Sequence, residues 1–308
     1  MSESIVKVEN LSHRYSVQWA VRDISFEINR NGIYGLLGSN GAGKSTLMNI
    51  MCGVLKPTEG RVVIKGIDMR ENPVAAKSHI GFLPQQPPLH TDLTVEEYLA
   101  YTASLRDIPD RDVPKAIDKV LERCALSHFR KRVIRNLSGG YQQRVGIAQA
   151  IIHEPDFVVF DEPTNGLDPN QILEIRHLIR EIATERTVML STHILSEVQA
   201  TCDYIRMIEQ GKLVFAGTVE DFDSYIVPNT VQVSLLARPT LEELQAIPGL
   251  IRAEEAGGTL YKLQFADAQE ALERVAEVSA TKGWRLNELS LEKSSLDTIF
   301  AELSKKSK

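Results

Sequence analysis

No apolar run in the 308 residues approaches the ~20 that a helix needs to cross a bilayer. The longest candidates, such as Phe157-Val158-Val159-Phe160, have the length of a buried strand. The opening stretch MSESIVKVEN contains no apolar h-region, so no secretory signal is expected and the chain is placed in the cytoplasm. Cysteine is scarce: Cys52, Cys124 and Cys202 are scattered, odd in number and without metal-ligand spacing. That argues against a disulfide framework or a zinc module and fits thiols kept in a reducing compartment. Basic excess is also missing, since the formal net charge is −6, and no nucleic-acid partner is expected. What remains, 43% hydrophobic and 25% charged, is a globular chain long enough for one large and one small domain.

Within residues 1–32, Ile5, Val6 and Val8, then Ile24, Phe26 and Ile28, alternate with polar positions as half-exposed antiparallel strands do. Ile33-Tyr34-Gly35-Leu36-Leu37 is almost wholly apolar, as a strand buried on both faces should be. A Gly-rich segment and then a helical pattern follow it. From about Val95 to Gln149 the signal is helical, with breaks expected at Pro109 and Pro114. Strand-like runs return at Phe157–Phe160 and Thr187–Ser191, each followed by a helical stretch, which predicts a mostly parallel sheet flanked by helices. Beyond Gly217-Thr218 the pattern changes. Strand 230–237, helix 240–247, a hairpin of Ile251–Glu255 and Leu260–Phe265 across Gly257-Gly258, helix Ala268–Lys282 and strand Trp284–Leu291 give the order βαββαβ. That order predicts a small ferredoxin-like α+β domain, followed by a last helix over Ser295–Leu303.

Gly38-Ser39-Asn40-Gly41-Ala42-Gly43-Lys44-Ser45-Thr46 fits the phosphate-loop pattern G-x-x-x-x-G-K-[ST]. Glycines let the backbone curl around phosphates with its N–H groups pointing inward, and the helix that follows adds its positive end. Lys44 supplies a cation for the β- and γ-phosphates, and the Ser45 hydroxyl can ligate Mg²⁺. Phe157–Phe160 ends in Asp161-Glu162. Asp161 is placed to hold Mg²⁺, and Glu162 to polarise the water that attacks the γ-phosphate. The expected cofactors are therefore ATP and Mg²⁺.

Leu137-Ser138-Gly139-Gly140-Tyr141-Gln142-Gln143-Arg144 closely resembles the signature of ABC-family ATPases, with Ser138 read as the cap of the helix that follows. Other pieces stand in that family's order. Tyr15 lies where an aromatic ring stacks on adenine, and Gln85 matches the glutamine that touches Mg²⁺ and the attacking water. Gly166-Leu167-Asp168-Pro169 resembles the loop crossing the dimer interface, and His193 the histidine contacting the γ-phosphate. The resemblance covers about two-thirds of the chain. It implies an α/β P-loop NTPase core with antiparallel β and helical subdomains over residues 1–224, the helical part at about 88–150, and an accessory domain at 225–308. It implies that Ser138, Gly139 and Gly140 bind the γ-phosphate held by another subunit, in a homodimer or paired ATPase. It also implies an integral membrane permease as partner, with the chain peripheral on the inner face of the membrane.

The basic lead-in Phe129–Asn136 and the segment Ser295–Phe300 look like the ABC-2 or drug- and lipid-exporter type, which favours export. The basic cluster reads better as a solvated charged face than as a contact for a partner or anionic lipid. Soluble ABC ATPases of DNA repair or translation usually carry coiled-coil insertions, zinc-binding cysteines or two ATPase units, none visible here. A non-ABC kinase would have no use for LSGGYQQR.

Overall fold

The computed structural model describes residues 4–225, 230–265 and 268–291. The expected helix over 295–303 and the segment Ser295–Phe300 lie outside them. Two compact units divide the chain, Met1–Val219 and Glu220–Lys308.

The first unit opens with the antiparallel pair β1 (Val6–Tyr15) and β2 (Gln18–Ile28), then β3 (Gly32–Leu37), which runs into α1 (Lys44–Met51). Next come β4 (Glu59–Ile64), β5 (Ile67–Asp68), α2 (Pro73–Ser78), β6 (Ile80–Leu83), α3 (Val95–Leu105), α4 (Val113–Arg123) and α5 (Gly139–Ile151). Two 3-10 turns, at Ser127–Phe129 and Ile134–Asn136, lie between α4 and α5. β7 (Phe157–Asp161), α6 (Pro169–Ala183), β8 (Thr187–Thr192), α7 (Leu195–Thr201), β9 (Tyr204–Glu209) and β10 (Lys212–Thr218) complete the unit, and α8 (Val219–Tyr225) spans the division.

β2-β1-β4-β5 form an antiparallel sheet, and β10-β9-β3-β8-β7-β6 a second one that is parallel except at its β10 edge. β3 lies between β9 and β8, and its apolar residues are buried, as the unbroken Ile33–Leu37 run requires. β7 is buried along its whole length. The core between the sheets joins Val6, Val8 and Ile24 to Leu36, Met48 and Phe157, so the strand carrying the Gly-rich loop is anchored on both sides.

The helical stretch 95–151 is cut by its caps. Thr94 and Glu97 form a reciprocal box at the start of α3, with Thr94 N–H donating to Glu97 at 2.8 Å. Pro109 falls between helices, but Pro114 does not break one. It sits in the first turn of α4, where its missing N–H would have had no partner in any case. Two cations of the basic lead-in are paired: Arg130 with Glu96 and Asp118, and Arg135 with Asp92.

In the second unit β11 (Thr230–Leu235), α9 (Leu241–Gln245), β12 (Leu250–Gly257), β13 (Leu260–Phe265), α10 (Ala268–Lys282) and β14 (Leu286–Leu291) follow the expected order. The sheet runs β12-β13-β11-β14, antiparallel throughout, which is the ferredoxin-like arrangement. Alternate residues Val231, Val233, Tyr261, Leu263 and Phe265 share one core with Val275 and Trp284.

Candidate active site

The Gly-rich loop links buried β3 to α1, and its geometry excludes side chains at two points. A Cβ on Gly38 would lie 2.3 Å from the Ile208 carbonyl oxygen. One on Gly43 would lie 2.4 Å from that of Ala20, and Gly43 also has φ of +108°. No side chain caps α1, which leaves its first N–H groups available to an anion at the loop.

Lys44 is buried, and its Nζ donates to the carbonyls of Gly38 (2.9 Å) and Ser39 (3.0 Å). Burial pulls its pKa below the ordinary lysine value, while Glu162, Asp161 and Glu209 oppose the shift. A cleft of about 460 Å³ has Asn40, Gly41, Gly43, Lys44, Ser45 and Thr46 along one wall. Gln85, Glu162, Asn165 and His193 face them. Ala42 is turned into the core instead.

Glu162 collects the donors opposite. Gln85 Nε2 donates to its Oε2 at 2.9 Å and Asn165 Nδ2 at 3.3 Å, while His193 Nδ1 lies 3.1 Å from Oε1. Its own backbone has φ of +48°, in the left-handed region that non-glycine residues uncommonly occupy. Ser191 holds this backbone in place: its hydroxyl accepts from Glu162 N–H (2.9 Å) and donates to the buried carboxylate of Asp161. The next turn ends at Asp168, which caps α6 by accepting from the N–H groups of Asn170 and Gln171, both at 3.0 Å.

Two expected site elements stand apart from this cleft. Tyr15 is 53% exposed at the end of β1, its ring edge-on to His13, and it does not line the cleft. Ser138, Gly139 and Gly140 do not line it either. Ser138 occupies the cap position of α5, but its side chain makes no capping hydrogen bond, contrary to expectation. Gly139 has open space where a side chain would be.

Sequence reasoning missed three contributors: Ser191, Asn165 and Glu209. Glu209 accepts from Ser39 Oγ (2.9 and 3.2 Å) and so ties the loop to the end of β9. The two residues are 170 positions apart, and no local pattern announces the contact.

A Gly-lined anion cradle with a buried lysine, opposite paired carboxylates at a strand's end, defines a P-loop nucleotide hydrolase. Residues 21–165 match the ABC transporter family. The chain is 38% identical over 213 residues to the bacitracin transport ATP-binding protein BcrA of Bacillus licheniformis, covering 68% of this chain and 69% of that one. It is 35% identical to the ABC transporter ATP-binding protein NatA of Bacillus subtilis, over 65% of this chain and 82% of NatA. Among solved structures it resembles CbiO1 of Clostridium perfringens, part of the ABC transporter complex CbiONQ, with TM-score 0.66 and 30% identity over 72% of this chain and 91% of that one. The cassette MJ0796, dimeric in a post-hydrolysis state with ADP and phosphate, gives 0.63 and 27% over 70% and 98%. The chain belongs to the ABC transporter ATP-binding proteins. It is an ATPase, the nucleotide-hydrolysing subunit of such a transporter.

Proposed function

We propose that this subunit powers an exporter of the ABC-2 or drug- and lipid-exporting type, paired with a second ATPase chain and docked on a separate membrane permease. Residues 1–224 carry the ATPase, and 225–308 stabilise the pair or tune its coupling. Export is supported by similarity to a bacitracin transport protein and to a linearmycin resistance protein of Bacillus subtilis. No helix among the described residues is long and apolar enough to cross a membrane, so in this reading the permease brings the chain to the membrane's inner face.

The observation that carries the paired reading is the separation of Ser138–Gly140 from the cleft their chemistry would serve. An exposed hydroxyl with no cap to make, beside an open glycine, is free to meet a γ-phosphate held by another chain. Within one chain Lys44 would exchange the carbonyls of Gly38 and Ser39 for phosphate oxygens. Glu162 would draw the proton of the attacking water, with Gln85 and His193, already on its carboxylate, holding its direction. Tyr15, open at its strand end, is available to stack on adenine.

Hard oxygen donors suit Mg²⁺, and Ser45 and Asp161 offer a hydroxyl and a carboxylate. When bound, Mg²⁺ neutralises charge on the phosphates.

Mixing variants tests the shared site. With Lys44→Ala and Ser138→Arg on one chain, a heterodimer with wild type loses both shared sites. With the changes on separate chains, one site survives. A nucleotide-sandwiched site persisting in the first heterodimer would refute the assignment of Ser138–Gly140.

A further inference from the structure

Glu197 is a carboxylate just 9% exposed, in α7, and it does not line the nucleotide cleft. Such a group stays in the interior only when its charge and lone pairs are matched. Its partners come from three separate segments. Thr164 Oγ1, two residues beyond Glu162, donates to Oε1 at 2.9 Å. Thr192 Oγ1, next to His193, donates to Oε2 at 2.7 Å. Arg176 of α6 places Nη2 at 3.5 Å from Oε1.

The Thr192 hydroxyl also accepts from Ile194 N–H at 3.1 Å, which fixes the backbone on either side of His193. From the other side, the turn after Glu162 is held by Gln143 of α5, whose Nε2 donates to the Pro163 carbonyl at 2.9 Å. Glu162 and His193 therefore meet at 3.1 Å on two short segments, and one buried carboxylate holds Thr164, two residues past the first, and Thr192, next to the second.

We infer that Glu197 is a positioning residue for hydrolysis, setting the register of His193 against Glu162 by tying Thr192 to Thr164. The inference rests on the catalytic roles proposed above. It separates Glu197 from nucleotide binding, because the clamp reaches the walls that carry Glu162 and His193 and not the Gly-rich loop.

Thr164→Val tests it with little risk to folding, since valine keeps the shape and removes the hydroxyl at a half-buried position. Turnover should fall about tenfold, as expected when reacting groups lose alignment, while ATP affinity stays within about twofold. Glu197→Ala should lower turnover further. Glu197→Gln should restore much of it, because its amide oxygen can accept from Thr192 while its NH₂ donates to a reversed Thr164 hydroxyl. Loss of affinity in step with turnover in Thr164→Val, or unchanged turnover, would overturn the inference. Glu162→Gln and His193→Ala serve as controls. If they stop hydrolysis and Thr164→Val does not, the clamp alone is wrong. If they too leave it untouched, the catalytic assignment is wrong and the inference goes with it.

Discussion

Replacing Glu162 with glutamine separates its place in the fold from its chemistry. The carboxylate has Gln85 and Asn165 on Oε2 and His193 on Oε1. A glutamine can keep its oxygen toward the two amide donors and turn its NH₂ toward His193 Nδ1, which accepts in the tautomer protonated at Nε2. Every local hydrogen bond can then be remade, so the stability change should be at most about 1 kcal/mol. The amide has no useful basicity, and loss of a general base costs roughly 10²–10⁴ in rate, or about 3–5 kcal/mol of barrier. Stability and turnover should therefore part by several-fold in free energy. The assay is threefold: denaturant unfolding, ATP titration, and phosphate release. The variant should bind ATP normally and collect as an ATP-bound dimer on size exclusion. Turnover within about threefold of wild type, with the protein folded, would remove Glu162 from the role of base.

Ending the chain after Ser224 should leave ATP binding intact, because every motif placed at the cleft lies in the first unit. A truncated protein that folds and no longer binds ATP would refute the independence of the units. A pH effect is expected at His153, whose Nε2 lies 3.0 Å from the Ile80 carbonyl oxygen while Nδ1 is buried without a partner. Burial, with Arg106 adding repulsion, lowers its pKa from 6.5 to about 4. The unfolded chain then takes up a proton between those values while the folded one does not, so stability falls by about 2 kcal/mol from pH 7 to 5. His153→Gln should flatten that slope in denaturant unfolding at the two pH values, and an unchanged slope would refute the assignment.

The fold was legible wherever pattern and burial coincide. Unbroken Ile33–Leu37 and Phe157–Phe160 became central strands, and the alternation of 230–235 and 260–265 became the paired strands of the small unit. The Gly-rich loop was legible because its residues are contiguous: glycines where the chain must pass close to Ile208 and Ala20, and a lysine at the start of the helix. Pro114 was misread because a proline signals a break or a beginning with the same residue, and only the start of α4 decides between them. Ser138 was misread for a related reason, since occupying a cap position does not oblige the hydroxyl to cap. Asn165, Ser191, Glu197 and Glu209 were not visible. Their partners lie on other elements, and side-chain contacts across the sheet leave no period in the sequence.

All three cysteines are buried. Burial pushes the Cys124 thiol up to about 12 and raises Cys52 and Cys202 as well, so none offers a thiolate near neutral pH. The native protein is therefore close to silent toward maleimides. A single cysteine introduced at exposed Asn136, two residues before Ser138, can carry a fluorophore or spin label without first stripping the natural thiols. Light or magnetic resonance at that position would then test the proposal that a second chain arrives over the signature, while the interior stays as it is.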